Sequence, residues 1–468
     1  MKRLLKIISF GAVALLVAIL IAATVIENIS GSPSAIENIY HSPWFIALWA
    51  LLAVTAILYI LRTKKRGTLI LLHASFVVVL LGAFVSFFTS KRGDMAISED
   101  GVPASMFEMS DGTLQKLPFR LQLSSVDTVR VNGGETVGDY IVRIVAADWA
   151  GETTYIVSLN NPIKIGGYQL CIKGVNDGNV SLLVSHDPAG RAISYVGYLM
   201  VFISFVLLFF DKKSGFNSIL LQMGGKRSVK DSVKEERDIH LSILARKMWV
   251  ALPLSFMFLC ILWYGRGVFP ATNGGEALML LVLFVMLLAV ALRRKKHFKL
   301  LSRVLVLVAA MFFVVAALGL DGNSNVQPIL RTPLLGIHVT TIIIAYALLA
   351  CTAVNGVIAL CTKNDKRRAQ QAVLGRLLLY PATMLLATGI FIGAVWANLS
   401  WGRYWGWDPK EVWALVTLLV CSLGFHSHSL RFISKPVAFH IFCIVAFMAV
   451  LFTFFGVNWL LGGLHSYA

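Results

Sequence analysis

The feature that most constrains this chain is a succession of apolar runs, each about twenty residues long, separated by short polar stretches. That length is what a helix needs to cross ~30 Å of hydrocarbon at ~1.5 Å per residue. Eleven such runs are read, near 7–26, 43–62, 68–88, 193–210, 245–264, 275–292, 299–319, 334–361, 374–396, 411–430 and 436–459. The first follows Lys2, Arg3 and Lys6 as a cleaved leader would, but it continues through Thr24-Val25-Ile26 and is read as a helix. With 57% hydrophobic and 14% charged residues and a mean hydropathy of +0.76, the lipid bilayer is the main solvent. The net charge of +18 does not indicate nucleic acid, because the basic residues sit in short loops between apolar runs rather than on folded polar surface.

Those basic residues orient the spans, since short cytoplasmic loops are enriched in Lys and Arg. Alternate loops carry Arg62 to Arg66, the charged stretch 211–247, Arg293 to Lys296, Lys363 to Arg368, and Arg431 with Lys435. All fall on one side, which predicts a cytoplasmic N-terminus and an outer C-terminus. The outer segment 89–192 changes to short alternating patterns such as Phe119 to Leu123 and Tyr140 to Val145, with turn signals at Asn132-Gly133-Gly134, Gly166-Gly167 and Asn176-Asp177-Gly178. The expected fold is therefore an all-α polytopic membrane protein of about eleven spans, with a small extracytoplasmic antiparallel β domain inserted between the third and fourth. The expected divisions are 1–88 with three spans, the β domain 89–192, a fourth span 193–210, a cytoplasmic linker 211–244, and a second block 245–468. Six cysteines are present with no CxxC and no CxxCH, which excludes a thioredoxin-like motif and covalent haem on this chain itself.

Five tryptophans fall between Trp396 and Trp413, within Trp396-Ala-Asn-Leu-Ser-Trp401-Gly402-Arg403-Tyr404-Trp405-Gly406-Trp407-Asp408-Pro409-Lys410-Glu411-Val412-Trp413. A membrane aromatic belt needs scattered anchors. One dense cluster with Gly402 and Gly406 instead offers stacking faces and close backbone approach for a flat apolar ligand. Asp408, Pro409 and Glu411 form a helix-start signature, and capping accounts for both acids as well as catalysis does.

The run WGRYWGWDPKEVWA resembles the tryptophan-rich WWD signature of haem-handling membrane proteins of the CcmC, CcmF and CcsA types, and its DPKE ending is most similar to CcsA. Leu335 to Val339 with Tyr346-Ala347, and Gly456 to Asn458 with Gly463 to Ala468, extend the resemblance over the second block. The first block is similar to the ResB/CcsB partner through His73 in Leu72 to Phe76, the outer domain, and Asn160 to Gln169. Together these resemble the fused CcsBA-type (system II) cytochrome c synthases. The resemblance implies export of haem b across the bacterial cytoplasmic (inner) membrane, then thioether attachment to the CxxCH of an apocytochrome c, a holocytochrome c synthase or haem lyase activity. Thiol-reductant proteins are implied as further partners.

Axial haem ligands test this separately, since neutral imidazole is the common choice. His73 and His426 lie roughly 8 Å and 6 Å from the cytoplasmic ends of their helices by the ~1.5 Å rise, matched in depth as an inner pair would be. His440 competes with His426, and His428 does so more weakly; in the CcsA type the inner histidine follows the DPKE glutamate by about four turns, which His426 fits best. On the outer side His338 and His465 flank the tryptophan segment, giving an expected outer axial pair and attachment site. The expected porphyrin-binding set is His73, His426, His338, His465, Trp396, Trp401, Gly402, Tyr404, Trp405, Trp407 and Asp408, with the loop placed at 396–410. Arg403, Arg331 or Arg266 are candidates for the propionates. His186, His240, His297 and His41 read as solvated loop residues. Three other functions remain open: a haem exporter without ligation activity, a b-type electron-transfer subunit, which usually carries two ligands on one helix at opposite depths, and a structural assembly partner with no cofactor.

Overall fold

The structure, a computed structural model, describes residues 2–62, 67–99, 101–130, 137–148, 151–176, 178–224, 249–267, 269–293, 298–318, 328–427 and 429–461. The helices are α1 (Lys2–Ser30), α2 (Pro43–Arg62), α3 (Gly67–Thr89), α4 (Pro188–Phe210), α5 (Gly215–Gly224), α6 (Ala251–Arg266), α7 (Gly274–Arg293), α8 (Lys299–Leu318), α9 (Pro333–Cys361), α10 (Asp365–Trp401), α11 (Pro409–Leu423) and α12 (Pro436–Leu451). Each of the eleven apolar runs coincides with a helix. Among the described residues nine helices are long and apolar enough to cross a membrane. The runs 245–264 and 411–430 give the shorter α6 and α11 instead. The second run falls short because Gly424 to His426 tighten into a 3₁₀ turn, so His426 sits just beyond its helix rather than within it. Most of the linker 211–244 lies outside the described residues; its first part forms α5, with Phe216 beside Tyr380.

Between α3 and α4 the chain builds eight antiparallel strands: β1 (Lys91–Ser98), β2 (Ala104–Met109), β3 (Leu114–Arg130), β4 (Val137–Asp148), β5 (Gly151–Val157), β6 (Ile163–Ile165), β7 (Tyr168–Asn176) and β8 (Asn179–His186). Their spatial order is β5-β4-β3-β2-β1-β8-β7-β6. Alternation explains the pairing: in β3 every second residue from Leu117 to Leu123 is buried, and these join Met95, Ile97, Ile144, Leu170 and Leu182 in one apolar core. His186, expected in a loop, ends β8 opposite Lys91, with its ring 4.5 Å from that of Tyr168.

Two kinds of contact hold the helices. Apolar helices gain little from burying oil against oil in a bilayer, so small residues that let backbones approach carry the packing. On α3 and α4, a Cβ at Gly82 would lie 2.6 Å from the Ser194 backbone nitrogen, and one at Gly197 would lie 2.9 Å from that of Val79. The second contact crosses the two blocks. Leu16, Leu20 and Ala23 of α1 share a core with Tyr40, Phe45, and Val412, Trp413 and Val416 of α11, and the Trp413 indole donates to Thr24 Oγ1 at 3.1 Å.

Gly82→Val is expected to destabilise the detergent-solubilised protein by about 1–3 kcal/mol through overpacking. Gly11→Ala, where nothing lies within 4 Å of the new carbon, serves as the control. Thermal unfolding followed by tryptophan fluorescence checks both, and equal midpoints would show that the α3–α4 approach carries no energy.

Candidate functional site

The tryptophan segment is only partly a loop. No proline stands between Pro381 and Gly402, so α10 runs on through Trp396 and Trp401 and ends there, with Gly402 taking φ 65° as its left-handed cap. The irregular stretch is therefore 402–408 rather than 396–410. At its far end Asp408 accepts the Lys410 N–H at 3.0 Å, while Glu411 Oε2 accepts Gly406 N–H at 2.7 Å and Asp408 N–H at 3.3 Å. The capping role of both acids is thus realised.

The β domain seizes the end of α10. Gln169 Nε2 donates to Asn398 O at 2.6 Å, Cys171 Sγ lies 3.8 Å from Leu399 O, and Arg92 donates to Gly402 O at 3.1 Å. Ser400 Oγ donates to Asn160 Oδ1 at 3.1 Å. Asn398 O, Leu399 O and Gly402 O are carbonyls that a helix end leaves without intrahelical partners. Burial pushes the Arg92 guanidinium down to about 10, reinforced by the charge of Arg403 and opposed by Tyr404 and Asp187. Tyr404 adds a relay in which its hydroxyl donates to Ser86 Oγ, which donates to Asp187 Oδ2 at 2.6 Å.

The aromatic rings do not form one platform. Trp396 and Trp405 line a cavity of about 150 Å³, together with Tyr404 and His338. Trp401 packs edge-on to Trp396 at 4.7 Å, beside Leu330 and Leu335. Trp407 turns to the first block, where it stacks on Tyr40 at 4.4 Å and 7° and meets Phe45 edge-on. Gly402 faces the β domain, where a Cβ would lie 2.5 Å from Leu183 Cδ2. Side chains on an irregular segment point wherever its backbone torsions send them, so a common face was not to be read from spacing.

His338 enters the same cavity from α9. Its Nδ1 lies 2.7 Å from Gly389 O on α10. A carbonyl only accepts, so Nδ1 carries the proton in this contact. Gly389 and Gly393 permit this approach: a Cβ on Gly393 would lie 2.5 Å from His338 Cε1. His73 repeats the device with Nδ1 2.8 Å from Leu69 O, one turn back on α3. Its ring centre is 6.2 Å from that of His426, at an interplanar angle of 68°, and Phe10 of α1 closes edge-on over His426 at 5.4 Å. His73 precedes Thr89 by sixteen residues, so this pair lies roughly 24 Å from the β-domain end of α3 at ~1.5 Å per residue.

His440 is buried elsewhere, its Nε2 3.1 Å from Arg368 O between α10 and α12. His465, His428, His240 and His297 lie outside the described residues. His41 is exposed, with its ring edge-on to Phe87 at 5.3 Å. Neither Arg403 nor Arg331 lines the cavity; the basic side chains that do are His338 and Lys410. Lys410 is not among the expected site residues, since a lysine inside a helix-start signature carries no sequence signal of burial. Among the described residues no three His, Cys, Asp or Glu side chains gather as a metal site.

Gly402→Ala and Gly112→Ala separate two costs. Both positions have positive φ, 65° and 79°, but only Gly402 has a neighbour within 4 Å. Each substitution is expected to cost about 1–2 kcal/mol in backbone strain. Gly402→Ala is expected to lose more and to shift tryptophan emission; identical unfolding midpoints and spectra would show that the β domain does not grip the segment.

Residues 272–465 match the cytochrome C assembly protein family and residues 62–194 match the ResB-like family. NrfI of Wolinella succinogenes is 33% identical over 231 residues, covering 47% of this chain and 25% of NrfI. CcsA of Chlamydomonas reinhardtii, a cytochrome c biogenesis protein, is 32% identical over 238 residues, 47% of this chain and 67% of that protein. CcsA of Solanum lycopersicum is 28% identical over 247 residues, covering 44% of this chain and 79% of that protein. The chain thus spans a quarter of NrfI but most of the CcsA proteins, and its His73 and His426 come from the two differently matched blocks. It belongs to the CcsA family of cytochrome c biogenesis proteins, with a ResB-like block fused ahead of the CcsA-type one.

Proposed function

We propose that this chain carries haem b across the bacterial cytoplasmic membrane and attaches it to the CxxCH motif of an apocytochrome c. The β domain and the segment 402–408 face outward and the basic loops inward. The observation that carries the reading is the His73–His426 pair, 6.2 Å between ring centres. Two iron–nitrogen bonds of roughly 2 Å, with each ring centre ~1 Å behind its nitrogen, sum to about 6 Å. The His73 ring has its Nδ1 held by a backbone carbonyl, the usual orienting partner of a metal-bound imidazole. Iron held between these two imidazoles takes its equatorial ligands from the porphyrin.

The outer station is the cavity of His338, Trp396, Tyr404 and Trp405, with His465 as the second ligand. At about 150 Å³ it is smaller than the ~300–1,000 Å³ of typical ligand pockets, so admitting a porphyrin requires 402–408 to move outward. Attachment adds each CxxCH thiol across a vinyl double bond. An S–C bond forms, the thiol proton passes to the neighbouring vinyl carbon, and no net electrons are exchanged. The protein's part is ligation and orientation of vinyl against thiol, while the macrocycle supplies the reactivity. Thiol-reductant proteins keep the substrate cysteines reduced.

His73→Ala and His426→Ala are expected to lower the haem content of the purified protein by more than the ~10–100-fold affinity change typical of an altered outer shell, with added imidazole restoring it. His338→Ala is expected to keep the inner haem and lose covalent product when a CxxCH peptide is supplied. Soret absorbance and peptide mass report the two. Full haem occupancy without His73, or undiminished attachment without His338, overturns the corresponding station.

A further inference from the structure

We propose that Arg376, with Lys435 and Arg431 beside it, binds the phosphate of an anionic phospholipid at the end of the bundle opposite the β domain. The β domain grips α10 at Asn398 and Gly402. Arg376 precedes Trp401 by twenty-five residues on the same helix, roughly 38 Å at ~1.5 Å per residue, enough to cross the ~30 Å hydrocarbon layer and reach the opposite headgroups. There the half-buried guanidinium lies 4.7 Å over the face of Phe439, in the first turn of α12. It donates from one Nη to Ser434 O at 3.3 Å, and its Nε is buried with no acceptor. A guanidinium carries five N–H donors, so most of its bonding capacity is unused.

Arg368, eight residues earlier on α10, shows a satisfied arginine in the same setting. It pairs with Asp365 at 2.6 Å and donates to Thr362 O at 2.6 Å and Ala359 O at 3.3 Å. Arg376 differs: among the described residues no ion pair joins it to an acid, and the chain has no Asp or Glu from 366 to 407 or after Glu411. Its neighbours add charge of the same sign. Ser434, whose carbonyl it uses, follows the 3₁₀ turn that Arg431 opens and precedes Lys435, the N-cap of α12, and both basic residues are exposed. No side chain caps α12, so no carboxylate at its start offsets this charge. A phosphate diester meets these needs, accepting from the guanidinium and neutralising the flanking cations. Phe432 and Val437 are exposed within the same stretch. Apolar side chains beside a cationic cluster suit a headgroup that carries acyl chains, and basic pockets between spans are a recognised place for anionic lipid.

The test uses the full chain, delipidated in detergent and titrated with dioleoyl phosphatidylglycerol, with dioleoyl phosphatidylcholine and with glycerol 3-phosphate. Native mass spectrometry reads the adducts, and tryptophan fluorescence checks that each variant is folded. The wild type is expected to bind phosphatidylglycerol roughly 10-fold more tightly than phosphatidylcholine, the scale of a hydrogen bond to a charged group. Arg376→Gln is expected to lose most of that preference, and the double variant Arg431→Gln with Lys435→Gln to narrow it. Arg367→Gln, which removes an exposed charge from the same helix, is expected to leave it unchanged. Equal affinity of the wild type for both lipids overturns the proposal without recourse to any variant. So does a preference that survives in Arg376→Gln, or one that Arg367→Gln lowers equally, the sign of diffuse attraction. Displacement of the lipid by glycerol 3-phosphate at equal concentration would make the occupant a soluble phosphate ester and overturn the lipid assignment. Should Arg376→Gln fail to fold, the double variant decides in its place, and an undiminished preference there overturns the proposal.

Discussion

The structure depends on how the end of α10 is satisfied. A helix that stops at the membrane surface leaves its last carbonyls without intrahelical partners, and in a crowded aromatic setting water cannot reliably serve them. Here the β domain serves them, through Gln169 on Asn398 O and Arg92 on Gly402 O. The exchange runs between the two blocks, so neither completes its own polar bonding. Gln169 is fully buried, and its Oε1 accepts from Arg191 at 2.5 Å at the foot of α4. The β domain is thus anchored to its own helices through the residue that grips the other block. Removing the domain would expose more than a surface; it would leave buried carbonyls orphaned beside the cavity.

A second economy appears in the histidines. An imidazole inside a membrane protein is costly unless both nitrogens have a purpose. His73 and His338 are held alike, each with Nδ1 on a helix carbonyl. The solutions differ in origin. His73 uses its own helix, one turn back, which needs no neighbour. His338 reaches across to α10, which is possible only because glycines at 389 and 393 bring the two backbones together. The first arrangement can be inferred from a single helix, and the second only from a pair.

That difference also explains what the sequence could and could not disclose. The spans were legible because their signal is local: twenty apolar residues read the same whatever packs on them. The β strands were legible by alternation, and His73 with His426 by matched depth. What failed was anything set by tertiary direction. Trp396, Trp401, Trp405 and Trp407 read as one surface, yet the first two sit together on the end of α10, while the turn after Gly402 sends Trp405 to the cavity and Trp407 to the first block. The helix at 411–430 stops at Leu423, where Gly424 to His426 tighten into a 3₁₀ turn that no local apolar pattern announces. Lys410 was hidden by its own motif, since a lysine at the second position of a helix is ordinarily a solvated one.

Trp407 shows what this directional control costs. It is the only non-glycine residue at positive φ among those described, at 59°, and a bulky side chain there carries about 1–3 kcal/mol of strain. The parallel stack on Tyr40 and the edge contact with Phe45 oppose that strain from the first block. The capping box at Asp408 and Glu411 opposes it from the second, by fixing Gly406 and Asp408 on either side. The left-handed turn sets the Trp405 and Trp407 rings 5.8 Å apart and nearly perpendicular, so that one lines the cavity while the other is clamped between blocks. An extended backbone at 407 would carry no strain, but it would no longer hold that geometry. The strain is therefore tied to the same feature that joins the two blocks: a segment too short to reach both surfaces unless it turns sharply between them.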